Sequence, residues 1–263
     1  MTSWRRARGH PPAFPPGFPS GFPLILGHRG SSARCPENSV AAFQRAVADG
    51  ADGVELDVLC CATGEVVVFH DDDLVRLGGR PERIADLPYA SLRDVVLTSG
   101  ARIPTLEEVL AACPAPLLVN IELKASGVTG GRLPALVDGV AALVQRMDAG
   151  ARVLVSSFHP RAVFLWQRRA PAIPAALLFE REGPIWLRRQ WAIPLLRPLG
   201  VHPEAVLCTP ARVAAWHQRA HLVNVWTVDE PERLRALAAM GVDGIITNDP
   251  KAARTVLDAA VSG

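Results

Sequence analysis

The chain predicts an α/β fold, a closed (β/α)8 TIM barrel with a small subdomain inserted after the second barrel strand, and three observations carry that expectation. Short apolar runs alternate with helical patterns from Leu24 onward, which is the signature of a parallel sheet. There are eight such runs, the number that closes a barrel. At 263 residues the chain has the length of one large barrel domain, and nearly half its residues are apolar, ample for a core.

Residues 1–23 stand apart. Trp4-Arg5-Arg6-Ala7-Arg8 resembles the basic start of an export signal, but proline recurs from Pro11 to Pro23 among Phe and Gly. That spacing prevents the continuous apolar helix of a signal or membrane span, so a flexible N-terminal tail is expected. Docking of this tail to a proline-recognising module is the secondary reading.

The barrel is expected to occupy residues 24–263. Its strands are placed at Leu24 to Gly27, Gly53 to Val58, Leu117 to Glu122, Val153 to Ser156, Ala175 to Leu178, Ala205 to Cys208, Leu222 to Trp226 and Gly244 to Thr247. Helical periodicity falls between them, at Ser39 to Asp49, Leu133 to Met147, Arg161 to Arg169, Ala211 to Arg219, Pro231 to Met240 and Lys251 to Ala260. Asn38 is expected to cap the first helix, and Gly50, Gly150 and Gly241 to follow helix ends. Glu65 to Phe69 is a further strand-like run, and the turn-rich stretch 71–102 reads as the insertion. Thr105 and Glu108 are spaced as a capping box that restarts the regular pattern.

Composition narrows the chemistry. A formal charge of +2 gives no reason to expect a nucleic-acid partner. Five cysteines without paired C-x-x-C spacing suggest neither a disulfide framework nor a zinc site, and a reducing, cytoplasmic compartment fits them. No segment is long and apolar enough to span a bilayer. The stretch Ile185 to Arg197 mixes bulky apolar residues with arginines. It reads first as an outer barrel helix kinked near Pro194, and peripheral membrane contact is the alternative.

Reactive residues cluster at the strand ends. His28 and Arg29 follow the first run, Glu55 and Asp57 lie in the second, His70 follows the extra strand-like run, and Glu122 and Lys124 finish the third barrel strand. Residues two apart on a strand share a face, so Glu55 and Asp57 can bind one hard cation. Two histidines beside it can act as acid and base. That set suits cleavage of a phosphodiester. The carboxyl ends of the strands are the face on which barrel enzymes build their sites.

The motifs His28-Arg29-Gly30, Pro36-Glu37-Asn38-Ser39, Val54-Glu55-Leu56-Asp57-Val58, Val68-Phe69-His70-Asp71, Asn120-Ile121-Glu122-Leu123-Lys124, Ser156-Ser157-Phe158, Val225-Trp226-Thr227 and Gly241-Val242-Asp243-Gly244 resemble those of the glycerophosphodiester phosphodiesterases. The resemblance runs from about Leu24 to Pro250. It implies hydrolysis of a small-molecule glycerophosphodiester to glycerol 3-phosphate and an alcohol. It also implies one divalent metal on Glu55, Asp57 and Glu122, catalytic His28 and His70, and substrate contacts from Arg29, Lys124 and Trp226. Magnesium or calcium suits the oxygen ligands, with manganese a third candidate. The stretch Leu74 to Gly79 departs from the family's usual Arg-Thr-Thr-like continuation, which points to a different alcohol. A lysophospholipase D or a catalytically silent phosphodiester-binding module are the alternatives, and the oligomeric state is open.

Other polar residues carry plainer readings. Glu37 is expected to touch the site through Arg29, and Asp71 and Asp72 to form an acidic turn rather than to bind metal. His159, His202, His217 and His221 are expected to be structural or exposed. Ser156 and Ser157 lack the strained elbow of a serine hydrolase.

Overall fold

The computed structural model describes residues 23–125, 131–185 and 190–261, so the expected tail lies outside the described residues apart from Pro23. Eight parallel strands close on themselves: β1 (Leu24–His28), β2 (Gly53–Cys60), β4 (Leu118–Leu123), β5 (Val153–Ser157), β6 (Ala175–Phe179), β7 (Gly200–Pro203), β8 (Leu222–Val225) and β9 (Gly244–Thr247). β9 pairs with β1 and β1 with β2, which completes the ring. β3 (Val66–Val68) folds back antiparallel on the end of β2 and carries that strand on to Cys60.

Alternation along each strand divides two cores. Outward-facing Ile25, Val54, Leu56, Val119, Ile121, Val153 and Val155 pack under the helices. Those helices include α1 (Val40–Ala48), α4 (Leu106–Ala112), α5 (Arg132–Arg146) and α6 (Pro160–Arg169). Inward-facing Leu24, Leu26, Leu118 and Ile246 form a smaller plug with Trp226 against it. The lumen also holds polar side chains: Asn120, Ser156, His202 and Asn224 are all fully buried.

The 71–102 stretch carries α2 (Val75–Gly78) and α3 (Tyr89–Leu92), with a 3-10 turn at Ile84–Asp86 between them. Leu74, Ile84, Leu92, Val95 and Leu97 bury with Phe69 and Ile103 into a core of their own. The Thr105–Glu108 capping box is formed in full.

Three local expectations are corrected. The sixth barrel strand is Gly200–Pro203, and Ala205–Leu207 is a 3-10 turn. Gly, His and Pro mask the true strand, whose place is set by pairing, Leu178 opposite His202. Ser39, not Asn38, caps α1, its hydroxyl accepting from the Ala42 N–H at 3.1 Å. Asn38 instead takes φ +56° and turns its amide toward Asp57. After α5 it is Asp148 that adopts the left-handed conformation, and Gly150 opens a 3-10 turn.

Within the Ile185 to Arg197 stretch, residues 186–189 lie outside the described residues. Among the described residues of the stretch, 190–192 form a turn and Pro194 sits in the first turn of a short helix, Ile193–Leu196, rather than at a kink within a longer one. Ile193 is buried, while Trp191 and Leu195 are exposed. No helix among the described residues is long and apolar enough to cross a membrane.

The polar lumen has a pH consequence. Asn224 Nδ2 donates to His202 Nε2 at 3.0 Å, and burial pushes the His202 pKa down from 6.5 to about 3. Between those values the unfolded chain binds a proton that the folded protein does not. This contribution to stability is therefore complete above about pH 6.5 and is lost as pH falls toward 3. Urea unfolding of wild type should show a drop of about 2 kcal/mol from this site between pH 7 and pH 5. His202→Gln should remove that part of the acid dependence; an unchanged dependence would refute it.

Candidate active site

Register assembles the acids. Asp57 on β2 lies directly opposite Glu122 on β4, Glu55 lies opposite Asn120, and His28 on β1 lies opposite Glu55. All five residues face inward and line the mouth of the barrel. Carboxylate oxygens of Glu55, Asp57 and Glu122 come within 4.8 Å of one another, and all three residues are buried. They line a cavity of about 450 Å³ with His28, Arg29, His70, Lys124 and Trp226. The structure thus gathers into one mouth all eight residues expected to be catalytic, substrate-contacting or metal-ligating.

The electrostatics of the trio are unequal. Asp57 is held below its ordinary range because Lys124, Arg29, His70 and an Asn38 hydrogen bond together outweigh its burial. Glu55 is raised well above the usual carboxylate range by burial, then by the charges of Asp57 and Glu122. Glu122 is pushed up to about 7, with burial the main cause, although Lys124 pulls against it. Lys124 Nζ lies 3.0 Å from Glu122 Oε1 and 3.5 Å from Asp57 Oδ1, and Arg29 Nε lies 3.3 Å from Asp57 Oδ2. These cations neutralise the cluster only in part. A set of three buried oxygen donors in mutual repulsion fits a hard divalent cation.

Arg29 is presented by a tight turn. It adopts φ +54°, and its backbone N–H donates to Glu55 Oε2 at 3.1 Å. The next residue, Gly30, adopts φ +86°, and a Cβ there would lie 2.6 to 2.7 Å from atoms of Ala42, so only glycine lets the turn press against α1.

Each histidine is oriented by a partner that sequence reasoning missed. His28 Nδ1 lies 2.7 Å from Asn248 Oδ1, and Asn248 Nδ2 donates to Asp229 Oδ2 at 2.6 Å. The amide oxygen therefore faces His28, so Nδ1 carries the proton and Nε2 is left with its lone pair. His70 Nδ1 lies 2.6 Å from Asp71 Oδ1. Asp71 is held ionised against burial by Arg76 and His70, so His70 Nδ1 also donates. The expected acidic turn is thus an orienting group, and neither Asp71 nor Asp72 joins the acid trio. Both imidazoles are shifted below their ordinary value, His28 by burial and then Arg29, His70 by burial together with Lys124 and Arg29 against the pull of Asp57 and Asp71.

Glu37 meets Arg29 at 2.8 Å, as expected. Trp226 Nε1 donates to the His202 carbonyl at 2.8 Å, and Phe158 stands edge-on to the indole at 5.4 Å between ring centroids. No local pattern signals the role of Asn248, because 220 residues separate it from His28. His159 caps α6 and also lines the cavity, and His217 pairs with Asp243.

Buried acids, flanking cations and two imidazoles at the C-terminal mouth of a parallel barrel suit the chemistry of phosphoric diester hydrolases. The family model described as the glycerophosphoryl diester phosphodiesterase family matches residues 28–252, and the chain belongs to that family. A glycerophosphodiester phosphodiesterase of Caldanaerobacter subterraneus is 32% identical over 237 residues, covering 87% of this chain and 95% of its own. One of Bacillus altitudinis is 32% identical over 240 residues, covering 86% and 94%. The solved glycerophosphodiester phosphodiesterase of Parabacteroides distasonis is similar with a TM-score of 0.78 at 26% identity, covering 90% and 98%. A phosphodiesterase of Oleispira antarctica, solved with its product sn-glycerol-3-phosphate, shares the fold with a TM-score of 0.79 at 23% identity, covering 90% and 97%.

The repulsion within the trio predicts two opposite effects. In chelator, Glu55→Gln should raise Tm relative to wild type, because it removes a like charge from a buried cluster. On adding millimolar magnesium, calcium or manganese, wild type should gain Tm and the variant should gain less. Thermal unfolding with and without each ion checks both. Equal gains in the two proteins would exclude Glu55 as a ligand.

Proposed function

We propose that the protein hydrolyses glycerophosphodiesters to glycerol 3-phosphate and an alcohol, with Glu55, Asp57 and Glu122 holding one divalent cation and His28 and His70 as the acid-base pair. The observation that carries this reading is the pair of imidazoles, each fixed through Nδ1 with Nε2 left to face the cavity beside the acids. A divalent cation bound to the acids would supply positive charge for the phosphoryl oxygens.

Arg29 and Lys124 hold separate phosphate oxygens, the guanidinium as a fork and the ammonium as a point charge. Their different partners separate the histidines' roles. His28 is oriented by a neutral amide and sits beside Arg29, so it holds a proton poorly and serves as base at Nε2. His70 is oriented by the Asp71 carboxylate, which stabilises an imidazolium, so it serves as acid. A phosphodiester anion lying against Arg29 and Lys124 offsets the two cations that depress His70, and so favours its protonated form when substrate is bound. The attacking oxygen, of water or of a neighbouring glycerol hydroxyl, loses its proton to His28 as it bonds to phosphorus, and the leaving alcohol oxygen takes one from His70; attack by the hydroxyl leaves a cyclic phosphate, which water then opens to glycerol 3-phosphate. Trp226, pinned by its N–H and braced by Phe158, forms an aromatic wall for the glycerol or alcohol moiety.

A lysolipid substrate is the second reading, favoured by exposed Ile185 directly after Pro184 of the cavity wall, with exposed Trp191 and Leu195 further along the chain. The five free thiols suit a reducing compartment.

Release of glycerol 3-phosphate from glycerophosphocholine, glycerophosphoethanolamine and glycerophosphoglycerol tests the proposal, with a lysophospholipid in parallel. Activity should vanish in chelator and return with a divalent cation. His28→Ala and His70→Ala should each lower kcat by at least about a hundredfold with folding intact. Near-normal turnover in both variants would defeat the assignment, and formation of lysophosphatidate with release of the head-group alcohol from the lysolipid alone would move it to the second reading.

A further inference from the structure

We propose that Arg76 of the inserted subdomain is a positioning residue that locks the phosphate-contacting Arg29 and the proton-carrying His70 into one unit through Glu37 and Asp71. The proposal rests on the roles given above to Arg29 and His70, and it deepens that reading by giving the insertion a part in catalysis.

The contacts form an unbroken chain. Arg29 Nη1 donates to Glu37 Oε1 at 2.8 Å. Arg76 grips the same carboxylate with two nitrogens, Nη1 to Oε2 at 3.0 Å and Nη2 to Oε1 at 2.7 Å. Its remaining edge grips Asp71, Nε to Oδ2 at 2.7 Å and Nη2 to Oδ1 at 3.2 Å. Asp71 Oδ1 closes the chain on His70 Nδ1 at 2.6 Å. One planar guanidinium thus holds two carboxylates in a fixed mutual orientation, a task that its fork performs and a lysine's point charge does not. The two carboxylates repel one another without it.

The insertion places this guanidinium. Leu74 is fully buried in the insertion's own core, the Asp73 carboxylate caps Val75 N–H at 3.0 Å, and Gly78 N–H closes the turn on the Leu74 carbonyl at 2.7 Å. Arg76 projects from that single turn back over the barrel mouth. Glu37, for its part, comes from the loop before α1. The chain therefore spans three parts of the molecule: the β1 turn, the loop before α1, and the insertion. The tether keeps Asp71 aimed at Nδ1, which leaves His70 Nε2 for the substrate, and keeps the Arg29 fork turned toward the mouth. A wrongly held tautomer presents an N–H where a lone pair or a transferable proton is needed.

The test compares Arg76→Ala and Arg76→Lys with wild type in full-length, metal-loaded protein. Two readouts are taken: kcat and KM for the best glycerophosphodiester, and the imidazole 15N spectrum, in which His70 is assigned by its absence from His70→Ala. Arg76→Ala should lower kcat about tenfold and raise KM severalfold, while Tm stays within a few degrees. Its His70 signals should change from the single Nδ1-protonated form to a mixture of tautomers. Arg76→Lys should recover less than half of the loss. An unchanged tautomer with kcat within twofold of wild type would overturn the proposal, and full rescue by lysine would overturn the fork. The spectrum decides even if wild type releases no glycerol 3-phosphate. In that case the substrate reading fails, and a tautomer that shifts in Arg76→Ala still supports the positioning role while one that does not refutes it.

Discussion

Three carboxylates forced together by strand register are the constraint around which this molecule is arranged. Asp57 and Glu122 are direct cross-strand partners, with Glu55 one inward position below, in a site that water barely reaches. Like charges in that setting repel at several kcal/mol in principle, so the surrounding structure answers them. Lys124 stands over two of the acids, Arg29 approaches from a left-handed turn that only Gly30 permits, and Asn38 gives up a helix cap to hydrogen-bond Asp57. On the proposed reading, the acids would attract a hard cation, and the Lys124 and Arg29 charges that answer them would attract a phosphate anion.

The barrel supplies what the cluster needs. Its outward faces bury a continuous aliphatic layer under the helices, which gives the scaffold rigidity. Its lumen is divided, with an aliphatic plug on one side and a buried layer of Asn120, Ser156, His202 and Asn224 on the other. Asn120 stands level with Glu55, and Ser156 level with Glu122. His202 belongs to both regions, since its ring faces Asn224 while its carbonyl holds the Trp226 indole.

Orientation of the two histidines is solved twice by different means. Asp229 fixes an amide, the amide fixes His28, and that arm is built from the last two strand ends of the barrel. The His70 arm uses a carboxylate and is tied to the insertion. Under the proposed mechanism, a neutral orienter and an anionic one would give the two imidazoles unlike proton affinities, and that difference would separate base from acid in an otherwise similar pair.

Much of this was legible in the residues. The barrel followed from the alternation of apolar runs and helical periods, the acids and histidines from their places at strand ends, and the Thr105 cap from local spacing. These are properties of neighbours in the chain, and local chemistry is what a sequence expresses directly. The strand Gly200–Pro203 was hidden because its residues read as a turn and only pairing with its neighbours makes them a strand. Asn38 was misread because a residue fit to cap a helix is equally fit to bond a carboxylate, and the choice depends on Asp57 standing 19 positions away. The sequence by itself determined which groups could do chemistry and on which face of the sheet they lie. Only the tertiary structure decided which nitrogen of each histidine is free, which cation answers which acid, and that Arg76 reaches the site. Those depend on contacts between segments far apart in the chain, set by the closure of the barrel and not by any local pattern.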